Sequence, residues 1–261
     1  MKFAIVEGNR REAEPGLSAI CAGCSKAMVA KCGDLRVWHW AHRGARTCDH
    51  WWEPETDWHR GWKNNYPKDW QEVIHTAENG ERHIADVRTE HGLVLEFQHS
   101  FLSKDERSAR EAFYKKMVWV VNGRRRQRDR KKFLSELDDG RTISEKPAIF
   151  SVTWTEGALL RDWGTSRVPV YFDLGDSEPD DRKRFDRPVL WRLNPKDPEG
   201  QTYLTPVSKE EFIYIYLKGL PFDEEYAKAI ERRRLRDQVR TRQPLPVFQG
   251  PFANRRRTRR F

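Results

Sequence analysis

The chain is expected to fold as an α/β protein, on three observations. Between residues 53 and 122 the apolar pattern runs helix, three strands, helix, strand, an order that suits a sheet crossed by its last helix. A compact stretch rich in Cys and His, residues 18–42, stands before it. Beyond residue 145 come further short apolar runs and one capped helix. The expected organisation is a zinc-ribbon-like module (1–50), a central core (51–145), an accessory α/β region (146–220) and a basic tail (221–261).

Taken in order, KFAIV at 2–6 predicts a first short strand. In the Cys/His segment, Cys21 and Cys24 are separated by two residues, and so are His39 and His42, after fourteen intervening residues. Two close pairs suit tetrahedral Zn²⁺, with a hairpin between them turning at Gly33-Asp34. Cys32, Cys48 and His50 are alternative ligands. In ETDWHRGWK, a helix over 53–66 sets Glu55, His59 and Lys63 on one face, at i, i+4 and i+8. Pro54 suits its start, and Trp58 and Trp62 anchor an adjacent face.

QEVIHTA, RHIADVRTE and LVLEFQHS read as strands, the first two joined at Asn79-Gly80 and the last two at a His-Gly turn. Ser103 with Glu106 three residues on opens a helix by a capping box. MVWVVNG is short and apolar enough for a buried strand. The basic run RRRQRDRKK at 124–132 suits either a nucleic-acid face or a solvated helix. KKFLSELDD reads as a helix; PAIFSVTW, VPVYFDL and RPVLWRLN read as strands. A last helix lies between Ser208 and Gly219, and Pro244, Pro246 and Pro251 make the end irregular.

Chemistry concentrates in ADVRTEHGLVLEFQHS, residues 85–100. Side chains alternate faces on a strand, so Glu96 and Gln98 point one way and Phe97 the other. A hairpin brings Asp86 beside them. Two carboxylates and an amide oxygen then form the oxygen-rich setting that suits Mg²⁺ or Mn²⁺. Without a cation, burying such a pair forces one acid to take up a proton.

Composition narrows the partners. No apolar run approaches the length of a membrane span, and no signal-peptide pattern leads the chain. Four cysteines in 261 residues are no disulfide scaffold, so a reducing, cytoplasmic setting is expected. The net charge is +9, yet residues 228–261 carry twelve Lys or Arg against Glu231 and Asp237, a local +10 that leaves the rest near neutral at −1. Such a tail suits a polyanion such as DNA, or a solubilising end.

Taken together, CAGC with HWAH, ETDWHRGWK, ADV at 85–87, EFQHS at 96–100, and Arg110 and Tyr114 on the next helix resemble the competence protein CoiA-like nucleases, a branch of the PD-(D/E)XK superfamily. The match spans residues 18–122; the C-terminal half carries none. The resemblance implies a restriction-nuclease-like mixed sheet flanked by helices, with 51–145 as nuclease core, and an Mg²⁺- or Mn²⁺-dependent deoxyribonuclease. It assigns Asp86 and Glu96 to the metal, with Glu55 joining through water or a second ion. Gln98 stands where the wider superfamily more often has lysine, and Ala85 where it often has proline.

On that basis Gln98 orients the water and Lys63 supplies positive charge to the transition state. His59 is a proton shuttle, a phosphate contact or a structural hydrogen bond. Arg110 and Tyr114 touch the phosphate backbone or brace their helix, and Arg124, Arg125 and Arg126 extend the nucleic-acid face. The expected role is DNA processing, recombination or defence, with a protein partner in such a complex. The rival expectations are a catalytically inactive DNA-binding or recruitment module and a metal-dependent ribonuclease.

Overall fold

The computed structural model describes residues 1–44, 48–51, 53–153, 155–179, 181, 185, 187–194 and 201–220. The basic tail, and with it the expectation that it meets DNA, lies outside the described residues. No helix among those described is long and apolar enough to cross a membrane.

The N-terminal strands β1 (Phe3–Val6), β2 (Asn9–Glu12), β3 (Ser18–Ile20), β4 (Ala27–Lys31) and β5 (His39–His42) form one antiparallel sheet in the order β2-β1-β3-β4-β5. Glu7 and Gly8 join β1 to β2 with φ of 49° and 81°, the paired positive values that match the twist of a tight hairpin. Its inward positions, including Val6, Ala19, Met28 and Trp40, make a small separate core. Gly33 and Asp34 lie in the β4–β5 connection as expected.

A second, nine-stranded sheet holds the rest, in the order β10-β11-β14-β13-β12-β9-β8-β7-β6. Its elements are α1 (Asp57–Lys63), β6 (Gln71–Thr76), β7 (Arg82–Arg88), β8 (Val94–Gln98), α2 (Lys104–Tyr114), β9 (Met117–Asn122), α3 (Gln127–Asp138), β10 (Arg141–Glu145), β11 (Ala148–Val152), α4 (Ala158–Trp163), β12 (Val170–Asp173), β13 (Val189–Asn194), β14 (Thr202–Ser208) and α5 (Lys209–Lys218). The sheet is mixed: β8–β9 and β9–β12 are parallel and the other neighbours antiparallel. The parallel β8–β9 pair needs a crossover, and α2 provides it. β8 and the apolar run of β9 are buried throughout, as strands covered on both faces must be.

Three expectations change. Residues 146–220 are no separate layer: β11 to β14 extend the central sheet, and Phe172, Trp191 and Leu204 share one core with Trp119. β10, α4 and β14 were not foreseen from the sequence. The first helix is also shorter than 53–66. Thr56 is extended (φ −121°, ψ 165°) and its hydroxyl accepts from the His59 N–H at 3.2 Å, which fixes the helix start at Asp57. Glu55 therefore precedes the helix. The capping box of α2 is half formed: Ser103 accepts from the Glu106 N–H, while the Glu106 carboxylate turns to Arg110 instead.

Asp173, at the end of β12, fixes α1 over the sheet. Its Oδ2 accepts from Trp58 Nε1 at 2.8 Å and from Trp62 Nε1 at 2.9 Å. Trp62 also stacks on Phe97 of β8. Replacing Asp173 by Ala leaves two indole N–H groups without acceptors and is expected to cost about 2 kcal/mol. A thermal melt should fall by about 5 °C; an unchanged melting point would show that α1 is held by packing alone.

Candidate functional site

The Cys/His segment gathers three thiols and one imidazole. Ligand atoms of Cys21, Cys24, His42 and Cys48 all lie within 4.8 Å of one another. Cys21 and Cys24 sit in a tight turn after β3, where Ser25 N–H donates to the Cys21 carbonyl at 2.9 Å and Gly23 N–H donates to Cys21 Sγ at 3.3 Å. Glycine is required at 23 because a Cβ there would stand 2.9 Å from Cys48 Sγ. Cys24 Sγ is 3.3 Å from His42 Nε2, and Cys21 Sγ is 3.4 Å from Cys48 Sγ. Burial and the two neighbouring thiols push the Cys48 thiol up, the mark of sulfurs that cannot all ionise together without a cation. This Cys₃His set could hold a metal ion such as Zn²⁺.

His39 is not a member. It shares β5 with His42, and residues three apart on a strand face opposite ways. Its Nδ1 lies 2.9 Å from the Val37 carbonyl instead. Cys48 takes the fourth place; Cys32 stays outside, and His50 falls in a different group with Asp49 and His83. Loaded with Zn²⁺, Cys48→Ser is therefore expected to retain much less of the metal than the unaltered protein, and His39→Ala as much, by elemental analysis. The opposite pattern would restore the Cys₂His₂ set.

The acidic cleft opens where β7 and β8 part. Their ladder runs through Arg88↔Val94 and Val87↔Leu95. Past it, side chains replace the backbone pairing: Asp86 N–H donates to Glu96 Oε1 at 3.2 Å and Phe97 N–H donates to Asp86 Oδ2 at 2.9 Å. Asp86, Glu96 and Gln98 line one cleft, together with His59. Burial, then the neighbouring Asp86, pushes the Glu96 carboxyl well above the usual range, against Arg110, whose Nη1 is 3.6 Å from Glu96 Oε2. Burial also raises Asp86, but His59 and Lys63 outweigh it and hold that carboxyl below its usual value. The pair is one that cannot ionise twice unaided, as the sequence predicts.

His59 Nε2 stands 2.8 Å from Asp86 Oδ2, close but off the line of a hydrogen bond, and its Nδ1 is buried with no hydrogen-bond partner among the described residues. Glu55 does not join Asp86 and Glu96 as a third compact ligand. Its carboxylate is taken by Lys63 Nζ at 2.9 Å and by Arg60 Nε at 3.1 Å. Lys63 is 1% exposed and bridges Glu55 to Glu72, also at 2.9 Å. Burial alone lowers an ammonium, but Glu72 and Glu55 raise this one above its ordinary value. Lys63 is thus a charge already neutralised by two carboxylates, not a free cation facing the cleft.

Arg110 and Tyr114 belong to the buried face of α2 and line the cleft from within the core, which suits the bracing role rather than an exposed nucleic-acid surface. Arg110 donates to the Trp51 carbonyl at 2.8 Å and to Glu106 at 2.5 Å, and so braces Glu96 from behind. Tyr114 packs among Trp51, His75 and Phe113. Arg124 and Arg126 are exposed, and Arg125 is half-buried in a second cavity beside His99. Farther along the run, Arg130 is buried and donates to Asp181 at 2.7 Å.

Several acids escaped the sequence reading. Glu53 accepts from Gln98 Nε2, and its other oxygen accepts from Ser100 N–H at 3.2 Å. Glu72 takes the Lys2 and Phe3 N–H groups at 2.6 and 2.9 Å, tying β1 to the large sheet. Asp49 pairs with His83 at 2.8 Å and accepts from Ile84 N–H, which straps residues 48–51 to β7. None of these carried a usable signal in the sequence, because each meets its partner across the fold. Compared with family models, curated proteins and solved structures, the chain has no significant match.

Proposed function

We propose that this protein is a divalent-metal-dependent nuclease that hydrolyses DNA phosphodiester bonds at the cleft between β7 and β8. The observation that carries the reading is the pairing of buried Glu96 with half-buried Asp86, each acid accepting an N–H from the other's strand at the point where the ladder ends. The donor set fits Mg²⁺ or Mn²⁺. Asp86 Oδ1 and Gln98 Oε1 accept no hydrogen bond among the described residues, and the two carboxyls repel each other unless a cation stands between them. The fold class and the resemblance to CoiA-like nucleases point the same way, and the exposed Arg124 and Arg126 suit a polyanionic substrate.

In this reading Asp86 and Glu96 would hold the cation. A cation held there would supply Lewis-acid chemistry, polarising a non-bridging phosphate oxygen and lowering the pKa of a bound water. Arg110 holds Glu96 in place from the buried side. His59, whose Nε2 lies beside Asp86, is the candidate to relay a proton from the attacking water. Gln98 cannot exchange a proton at neutral pH and serves to position that water. Lys63 and Glu55 set the floor of the cleft and take no part in bond breaking.

The test is cleavage of linear, circular and single-stranded DNA, with an RNA of the same sequence, in Mg²⁺ or Mn²⁺ beside an EDTA control. DNA cutting that EDTA abolishes supports the reading. Cutting of RNA alone makes the protein a ribonuclease, and binding without any cutting makes it a DNA-binding module.

A further inference from the structure

Gln98 is buried, at 2% exposure, and both hydrogens of its amide are committed on one side. Nε2 donates to Glu53 Oε1 and to the Ser100 carbonyl, the latter at 3.1 Å. The opposite rotation of the amide would set Oε1 against a carboxylate and a carbonyl, two acceptors with no hydrogen to share. The orientation is therefore decided by chemistry rather than by the similar shapes of oxygen and nitrogen. Glu53 is itself held by the Ser100 N–H, so the arrangement is anchored to backbone at both ends. What remains for the cleft is Gln98 Oε1, an acceptor with no partner among the described residues, on the strand face that also carries Glu96.

We propose that Glu53 is a positioning residue that fixes the Gln98 amide, so that Gln98 Oε1 serves as a direct oxygen ligand of the divalent cation beside Asp86 and Glu96. The proposal rests on the metal-site reading above and sharpens it: Gln98 acts on the water by binding the cation that carries it. A carboxamide oxygen adds a ligand without adding charge. A third carboxylate at this position would repel Asp86, Glu96 and Glu53 together, whereas a neutral oxygen avoids that cost.

The experiment is calorimetric titration of Mn²⁺ into the full chain, which reads binding without turnover. Glu53→Gln is expected to weaken Mn²⁺ binding about 10- to 100-fold, the usual effect of losing a residue that orients a ligand. Gln98→Met, which removes the oxygen at similar volume, should weaken it comparably. Because Glu53 acts through Gln98, adding Glu53→Gln to Gln98→Met should change little further. An unchanged melting point of Glu53→Gln in EDTA shows that its loss of binding is not misfolding. Wild-type binding by Glu53→Gln, or additive losses in the double variant, would overturn the positioning role while leaving the metal site standing. A wild-type protein that binds no Mn²⁺, with Asp86→Asn indistinguishable from it, would overturn the site itself.

Discussion

Asp86→Asn is expected to lower Mg²⁺-dependent DNA cleavage by about 10³-fold, because it removes a charged ligand whose cation contributes several kcal/mol to the transition state. Glu96→Gln should do the same. DNA affinity measured in EDTA should change little in either variant, since Glu96 is buried and Asp86 half-buried. Their stabilities should differ. Burial and the neighbouring Asp86 push the Glu96 carboxyl well above its usual range, so a neutral amide there should lower the melting point in EDTA less than Asp86→Asn does. Asp86 is held ionised by His59 and Lys63, and Asp86→Asn weakens that contact, so its melting point should fall. Near-normal cleavage by both variants would remove the proposed centre.

Lys63→Met should be the most destabilising single change, at about 3–5 kcal/mol, because it removes the buried ammonium between two carboxylates and leaves Glu55 to Arg60 and Glu72 to two backbone N–H groups. The melting point should drop by about 10 °C. The effect has a definite pH dependence. Lys63 is raised above its ordinary value, so its share of stability is complete below the ordinary lysine pKa and is lost only in strong alkali. Burial raises Glu72 and Glu55, but Lys63 outweighs it and holds both below their ordinary values, so their share is complete above about pH 4.5 and is lost as the pH falls further. In the Met variant both carboxyls protonate more readily, so the stability gap to wild type should shrink toward acid. Melts from pH 3 to 8 would measure it. A Lys63→Met protein that melts like the wild type but cleaves slowly would return Lys63 to the transition state.

Local pattern carried much of this protein. The Asn79-Gly80 and His91-Gly92 turns, the Ser103 and Ser208 caps, and the alternation of Glu96, Phe97 and Gln98 are all properties of a few neighbouring residues, and all appear where the sequence puts them. Spacing failed where the chain changes conformation midway. Glu55, His59 and Lys63 share a helical period, yet Thr56 caps the helix after Glu55. Glu55 still reaches Lys63, but by a route that a helical wheel does not describe. His39 and His42 look like a ligand pair by number, and the strand places them on opposite faces.

By itself, then, the sequence determined an α/β chain with a Cys/His-rich N-terminal segment and a hairpin bearing Asp86, Glu96 and Gln98. Those follow from periodicity, turn chemistry and capping, which act over a few residues. Tertiary structure alone decided that Cys48 completes the thiol cluster, that Lys63 is consumed by Glu55 and Glu72, that Arg110 and Tyr114 face inward, and that residues beyond 145 extend the central sheet. Each of these depends on which distant groups meet in a low-dielectric interior. There a charge must find a partner and a polar atom a hydrogen bond, and the partner's place in the chain leaves no local trace.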